Sequence, residues 1–160
     1  MPVRDEATAN KSNRGVRKRI PLAQRRKARQ LVLQALYQWL LTKMEPNQIA
    51  MQFREANESK IDWEYFDDVF IAIPKHVQSL DTHLVTVIDR KPETLDPIEK
   101  ALLYLGVFEL AHRIDVPYKV VINECIELAQ RFGASDSHKY INGVLDRLVG
   151  QLRPIELSGK

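Results

Sequence analysis

The fold of this chain is decided by DVPYKVVINECIELAQRFGASDSHKYINGVLDRL, which occupies residues 115–148. Its first half has apolar residues three and four positions apart, a spacing that favours one face of a helix. These residues are Val121, Cys125, Leu128 and Phe132. Gly133 then predicts a helix end, because glycine adopts the left-handed conformation at little steric cost. Helical spacing resumes from Tyr140 to Leu148, so the stretch predicts two helices joined by a short turn.

The turn between these two predicted helices is rich in polar side chains. Seven of them lie within eight positions: Ser135, Asp136, Ser137, His138, Lys139, Tyr140 and Asn142. Any of the first three can cap the second helix by accepting hydrogen bonds from backbone N–H groups. A turn that only connects helices does not need so many polar groups, and we interpret it as a recognition surface. Capping with a solvated first turn is the alternative, and the residues alone leave both open.

Composition indicates a globular protein of one domain or two small lobes. The chain has 160 residues, of which 44% are hydrophobic. Its one cysteine, Cys125, excludes a disulfide framework and favours a reducing compartment. Apolar runs fall short of the roughly 20 residues that span a bilayer, and the N-terminus lacks the apolar core of a signal peptide. We therefore expect a cytoplasmic protein that does not bind membranes.

Charge is distributed unevenly along the chain. Residues 1–30 hold ten Lys or Arg against two acidic residues, a net charge of +8. The remaining 130 residues hold 14 basic and 19 acidic side chains, a net charge of −5. A basic arm on an acidic body indicates a polyanionic partner, of which nucleic acid is the commonest.

Periodic apolar spacing predicts helices along the chain, and no alternating strand pattern is present. The first helix is expected to begin near Pro21, a second at Pro46, and a third after the capping residue Asp62. Pro74 lies inside the third apolar stripe and predicts a kink or a break there. The sequence DPIE at 96–99 is typical of a helix start, with a capping residue, proline at the first position and glutamate at the third.

The predicted fold class is all-α, with about seven helices in two packed helical bundles. The helical domain is expected to occupy residues 21–153. Residues 1–20 are predicted to form a disordered basic tail, and residues 154–160 a flexible C-terminal tail. The basic tail either contacts RNA or only keeps the protein in solution.

No catalytic or metal-binding motif is found in the sequence. It has no G-x-S-x-G, H-E-x-x-H or C-x-x-C pattern and no glycine-rich phosphate loop. His76 and His83 are seven positions apart, too far to share a metal without a third group between them. Asp67 and Asp68 point to different helix faces and do not form an acid–base pair. We therefore expect a binding protein without cofactor or metal, and not an enzyme.

Three arginines, Arg25, Arg26 and Arg29, fall in the first turns of the first predicted helix. Cations there face the unfavourable end of the helix dipole. A sequence that tolerates three of them indicates a compensating contact, and phosphate is the natural candidate. The alternative is that exposed arginines are screened by salt at little cost.

The polar turn offers the groups that read an unpaired RNA base. Such bases stack on aromatic rings and form hydrogen bonds at their edges. The side chains suited to these contacts are Asp136, Lys139, Tyr140 and Asn142.

Three segments of the chain resemble the NusB transcription antitermination factor family. They are RRKARQLVLQALYQW at 25–39, IEKALLYLGVFEL at 98–110, and residues 115–148. The resemblance extends over about residues 22–153 and implies an all-helical fold of two bundles. It also implies regulation of transcription through boxA-type RNA in nascent transcripts, notably of ribosomal RNA operons. The family binds this RNA together with NusE, a ribosomal protein of the small subunit, in an antitermination complex that lets RNA polymerase read through terminators.

The resemblance also implies roles for individual residues. The RNA-binding set is Arg25, Arg26, Arg29, Phe132, Gly133, Asp136, Lys139 and Tyr140. The partner-binding set is Tyr37 and Glu99, which composition alone would assign to the edge of the core and to helix capping. The chain departs from the family in the length of its basic tail and in Pro74.

Two other functions remain open at this stage. The chain can be a scaffold that forms a homodimer through the faces of Tyr37 and Glu99 and does not bind RNA unaided. A NusB-like domain also begins some RNA methyltransferases, but the residues up to Lys160 offer neither room nor a glycine-rich motif for a methyl-donor domain.

Overall fold

The computed structural model describes residues 20–159, and within them all regular structure is helical, without a β-strand. The helices are α1 Leu22–Thr42, α2 Pro46–Ala56, α3 Trp63–Lys75, α4 Val77–Leu84, α5 Pro97–His112, α6 Tyr118–Phe132, α7 Ser137–Leu152 and α8 Pro154–Ser158, with a 3₁₀ turn at Pro92–Thr94. The predicted all-α class is confirmed. The basic tail predicted at 1–20 lies outside the described residues except for Ile20. No helix in the described range is long and apolar enough to cross a membrane.

Capping side chains begin the helices where the sequence predicted. The Asp62 carboxylate accepts the backbone N–H of Tyr65 at 3.1 Å and starts α3. The Asp96 carboxylate accepts the N–H groups of Ile98 and Glu99 at 3.0 and 3.3 Å and starts α5. These bonds satisfy N–H groups that have no partner within the helix.

The break predicted at Pro74 is present, two residues later. Pro74 lies in the last turn of α3, and His76 leaves helical geometry before α4 begins. The His76 ring nitrogen Nδ1 donates a hydrogen bond to the carbonyl of Ala72 at 2.8 Å. The ring thus replaces the backbone bond that a continuous helix would make to this carbonyl.

Helix α5 lies at the centre of the molecule. Ten consecutive residues, from Ala101 to Leu110, are buried. A helix that is apolar on all sides is a core helix. It packs on α1, α3 and α4 and also on α6 and α7, while α1, α2 and α3 pack on one another. The two predicted bundles therefore share α5.

The segment predicted as a flexible tail contains α8 instead. The buried guanidinium of Arg153 donates to the carbonyl of Leu110 in α5 at 2.7 Å and to that of Val116, in the loop before α6, at 2.9 Å. Glu156 in α8 pairs with Arg153 and accepts the N–H of Tyr118 at 3.0 Å. A short helix forms here because Glu156 joins it to two neighbouring elements.

The elbow between α6 and α7, residues 133–136, corrects two local predictions. Gly133 has φ −95° and ψ 179°, which is extended and not left-handed. A Cβ atom there would lie 2.9 Å from the carbonyl oxygen of Ala129 and 2.9 Å from the Cβ of Ser137, so the position has no room for a side chain. The predicted capping is also wrong, because Asp136 occupies the N-cap without a side-chain bond and the Ser137 hydroxyl donates to Glu99 at 2.8 Å.

Candidate nucleic-acid interface

Arg29 is not available to phosphate, contrary to the prediction from its place in the first helix. Its side chain is 2% exposed and donates to the two carboxylate oxygens of Glu109 at 3.0 and 2.9 Å. Glu124 lies 3.7 Å away on the other side. Burial alone would lower the pKa of Arg29, but the adjacent Glu109 carboxylate raises it above its usual value. The charge of Arg29 is neutralised inside the core, where it joins α1, α5 and α6.

The other two predicted arginines are nearer the surface, and each is paired. Arg25 donates to Asp62 at 2.7 Å, with its guanidinium 4.6 Å from the ring centre of Tyr65. Arg26 donates to Glu124 at 2.9 Å and keeps half of its side chain exposed. Of the three, only Arg26 faces solvent to a large extent.

A cationic cleft that the sequence reading missed lies between the start of α1 and the end of α6. It is lined by Leu22, Ala23, Arg26, Lys27, Gln30 and Arg131. The guanidinium of Arg131 donates to the Gln30 side chain at 3.1 Å and bridges the two helices. Among the ion pairs formed within residues 20–159, none involves Lys27 or Arg131. The cleft therefore holds cations whose charge is not neutralised.

The spacing of α1 contained a signal for this cleft. Arg29 precedes the buried Val32 and Leu36 by three and seven positions, which places it on the apolar face. Lys27 and Gln30 start a different stripe that continues to Gln34 and on to Tyr37.

The elbow itself is open to solvent, as the recognition hypothesis requires. The side chains of Asp136 and Lys139 are 83% and 74% exposed and lie 3.8 Å apart. An exposed pair at that distance holds the two charges only weakly. Gly133 begins the elbow. It is three positions before Asp136 and two positions after Arg131 in the chain.

Tyr140 is half-buried, and its ring is already in contact with another side chain. The guanidinium carbon of Arg90 lies 4.6 Å from the ring centre. The hydroxyl is buried and has no hydrogen-bond partner among the described residues. Burial raises the pKa of Tyr140, and the charge of Arg90 opposes that rise. One face of the predicted stacking residue is therefore covered.

Phe132 and Tyr37 lie together in an apolar groove. The groove has a volume of about 700 Å³ and is lined by Leu33, Gln34, Tyr37, Gln38, Leu41, Thr42, Phe53, Ile98 and Phe132. The family resemblance implies RNA binding for Phe132 and partner binding for Tyr37. The structure groups Phe132 with Tyr37, while its neighbour Arg131 belongs to the cationic cleft.

Glu99 lies beside the groove but does not line it. Its backbone N–H is capped by Asp96, and its half-buried carboxylate accepts the Ser137 hydroxyl at 2.8 Å. It therefore connects the first turn of α5 to the first turn of α7. The Glu99 side chain therefore bonds to α7 and does not cap its own helix, and its role in binding a partner stays a prediction.

Among the described residues there is no group of three His, Cys, Asp or Glu side chains that could hold a metal ion. Cys125 is fully buried, and that burial raises the pKa of its thiol. A charged cleft and an apolar groove that meet at Arg131 and Phe132, with an exposed elbow next in the chain, are typical of a surface that binds other molecules.

Fold and surface together define an all-helical binding protein of two bundles that share one central helix. The chain belongs to the NusB family, whose family model matches residues 26–150. It is 49% identical over 137 residues to transcription antitermination protein NusB of Pseudomonas fluorescens, covering 85% of this chain and 82% of that protein. It is 53% identical over 135 residues to the protein of that name from Alcanivorax borkumensis, covering 84% and 90%.

Solved structures agree with this assignment. NusB of T. maritima superposes with a TM-score of 0.72 at 25% identity, covering 83% of this chain and 96% of that one. A crystal structure of antitermination factors NusB and NusE in complex with dsRNA contains a chain with a TM-score of 0.74 at 21% identity, covering 82% and 99%. This second likeness supports the fold alone. The relatives named here are transcription antitermination proteins.

Proposed function

We propose that this protein binds boxA-type single-stranded RNA in nascent transcripts, including those of ribosomal RNA operons, together with NusE. In the cytoplasm it would join an antitermination complex with RNA polymerase and promote read-through of terminators. The observation that carries the proposal is the cationic cleft at Lys27 and Arg131, where Arg131 stands two residues before the elbow begins at Gly133. The named role of its relatives in transcription antitermination supports the same function.

The cleft is suited to the sugar–phosphate backbone of the RNA. Lys27 and Arg131 carry charges that no described carboxylate neutralises, and Arg26 adds a half-exposed guanidinium. Contacts of this kind position a strand without reading its sequence. Asp136 in the elbow and Lys139 in the first turn of α7, both exposed, then meet the bases, whose edges need both donors and acceptors.

The apolar groove is suited to a protein partner. Tyr37 and Leu41 are 37% and 55% exposed there, and Phe132 and Ile98 complete an apolar surface. Exposed aromatic and aliphatic groups in a groove are typical anchors at protein interfaces. We assign this groove, with Glu99 at its margin, to NusE.

The two surfaces adjoin at Arg131 and Phe132, consecutive residues that face the cleft and the groove. We expect RNA and NusE bound side by side to favour each other's binding, and the two effects must be equal because coupling between two ligands is reciprocal. Binding of RNA by this chain alone is expected to be weak and strongly salt-dependent.

The test replaces the two unpaired cations of the cleft. The variant with Lys27→Ala and Arg131→Ala is compared with wild type by fluorescence anisotropy on a boxA-like strand, with and without NusE, over a series of salt concentrations. Each phosphate contact contributes about 0.7 to the slope of log K against log salt for single strands. We expect the magnitude of the slope to be smaller in the variant by about 1 to 1.5, because two contacts are lost.

A matched control removes two positive charges elsewhere, with Lys75→Ala and Lys119→Ala, both exposed and on α3 and α6. The control is expected to keep the wild-type slope. If the salt slope becomes shallower by the same amount in both double variants, the effect is one of net charge only. If the slope is unchanged in both, the cleft is not the phosphate site.

Self-association is the second candidate, because Tyr37 and Leu41 leave an apolar surface exposed. Light scattering separates the two. A dimer that persists with NusE present and shows no RNA affinity would favour the scaffold, whereas a monomer that forms a ternary complex supports the proposed function.

A further inference from the structure

The guanidinium of Arg90 lies over the ring of Tyr140 although the two residues are fifty positions apart in the chain. Arg90 belongs to the segment between α4 and α5, and its guanidinium carbon is 4.6 Å from the centre of the Tyr140 ring. Its Nε donates to the Asp89 carboxylate at 2.9 Å, which holds the guanidinium from the side. Cation and ring at this distance attract one another.

Because its hydroxyl is buried, Tyr140 cannot form hydrogen bonds with the edge of an RNA base. Its ring can only hold the Arg90 guanidinium in place. Its hydroxyl is buried without a hydrogen-bond partner in the described structure, so the polar end of the phenol points into the protein. An aromatic residue that reads an RNA base by hydrogen bonding would turn its hydroxyl outward. The guanidinium over the ring is the more exposed of the two groups, since Tyr140 is half-buried and the side chain of Arg90 is 46% exposed.

Arg90 is open on its other side. Its side chain is 46% exposed, and only its Nε has a hydrogen-bond partner in the described part of the chain. Lys91, the next residue, is exposed and forms no ion pair within the described residues, so it adds a positive charge beside Arg90 that can attract a phosphate. Lys139, which precedes Tyr140, is paired only weakly with Asp136. A planar cation with one covered face, one free face and unused N–H groups can stack on a base and also bond to a phosphate.

We infer that Arg90 and Tyr140 form a composite stacking site for one unpaired base of the RNA. Arg90 supplies the surface that the base contacts, and Tyr140 holds the guanidinium in the stacking plane. Guanidinium planes stack on nucleobases as aromatic rings do. The inference rests on the proposed function, and it extends the RNA surface from the elbow to the segment between α4 and α5.

The test uses boxA-like strands carrying 2-aminopurine at successive positions, because stacking quenches the fluorescence of this base. Arg90→Lys keeps the charge and removes the plane. Tyr140→Leu removes the support, and Tyr140→Phe removes only the unpartnered hydroxyl. We expect quenching at one position in wild type and in Tyr140→Phe, and its loss in the other two variants with about a tenfold fall in affinity, within the range for one stacked base.

Arg54 supplies a matched control. Its guanidinium lies 4.9 Å from the ring centre of Trp63, it is paired with Asp67, and its side chain is 45% exposed. Arg54→Lys makes the same chemical change on α2, away from the elbow, and is expected to leave quenching and affinity unchanged.

The outcomes distinguish failure of the stacking site from failure of the proposed function. Full quenching and affinity in Arg90→Lys, with a fall only in Arg90→Ala, would make Arg90 a phosphate-attracting charge and overturn the stacking site. Loss of affinity in Tyr140→Phe would show that the hydroxyl contacts RNA, which also overturns it. Wild type that binds no RNA with or without NusE would reject the proposed function itself. Thermal unfolding of each variant confirms that the fold is retained.

Discussion

Arg29 carries a full positive charge into the core, where Glu109 and Glu124 neutralise it. An arginine near the start of a helix has the same appearance in sequence whether it meets a phosphate or a carboxylate. The carboxylate here comes from α5, eighty positions away. At the residue scale, therefore, charge and position along the chain did not distinguish a structural ion pair from a binding site.

We predict that Arg29→Met destabilises the protein by about 3–5 kcal/mol, because it leaves Glu109 buried and unpaired. The free energy of unfolding is measured by urea denaturation. Adding Glu109→Leu to the same chain is expected to restore much of the loss, since no charge then remains without a partner.

A loss under about 1 kcal/mol, within the range of an exposed pair, together with a lower salt slope for RNA binding, would contradict the core assignment. Such a result would indicate that Arg29 contacts RNA phosphate.

Helix starts were the most predictable elements of this chain. Asp62 and Asp96 bond to N–H groups two or three residues ahead, so the whole interaction lies within one helical turn. The end of α6 was less predictable. Gly133 is required by the approach of Ser137 from the next helix and not by a left-handed backbone.

Gly133→Ala is predicted to destabilise the protein by about 1–3 kcal/mol, as overpacking does elsewhere. Its methyl group would meet the carbonyl oxygen of Ala129 and the Cβ of Ser137 at 2.9 Å. The elbow would have to shift, and RNA affinity is expected to fall with it. Thermal unfolding and anisotropy measure the two effects.

Gly150→Ala is the control for this change. Nothing lies within 4 Å of an added Cβ there, and the residue is inside α7. Alanine is expected to stabilise α7 by about 0.5–1 kcal/mol, since it loses less backbone freedom on folding. Stabilisation by both substitutions would show that Gly133 has room and would contradict the packing at the elbow.

At the scale of the whole molecule, the fold brings together histidines that are distant in sequence. The rings of His76, at the break between α3 and α4, and His112, at the end of α5, have centres 4.9 Å apart. The pKa of His112 is lowered, chiefly by its partial burial. The charges that the nearby His76 and His83 carry when protonated add to this effect. The folded protein therefore binds this proton less readily than the unfolded chain does.

Stability is expected to fall as pH decreases below about 6.5, the usual pKa of histidine, because the unfolded state then takes up the proton first. His112→Gln is predicted to flatten this dependence. Urea unfolding of wild type and variant between pH 5 and pH 8 checks it. A wild type that becomes more stable on acidification over that interval would contradict the lowered pKa.

Fold class, the capped starts of α3 and α5 and a break close to Pro74 were determined by the sequence alone, because capping and apolar periodicity act between residues within about one helical turn. Family membership followed from long segments with the same local patterns. Only the tertiary structure decided which cations are free, since that depends on whether a carboxylate from another helix reaches them. It buried Arg29 against Glu109, left Lys27 and Arg131 open, and laid Arg90 on Tyr140, and each of these results joins residues far apart in the chain.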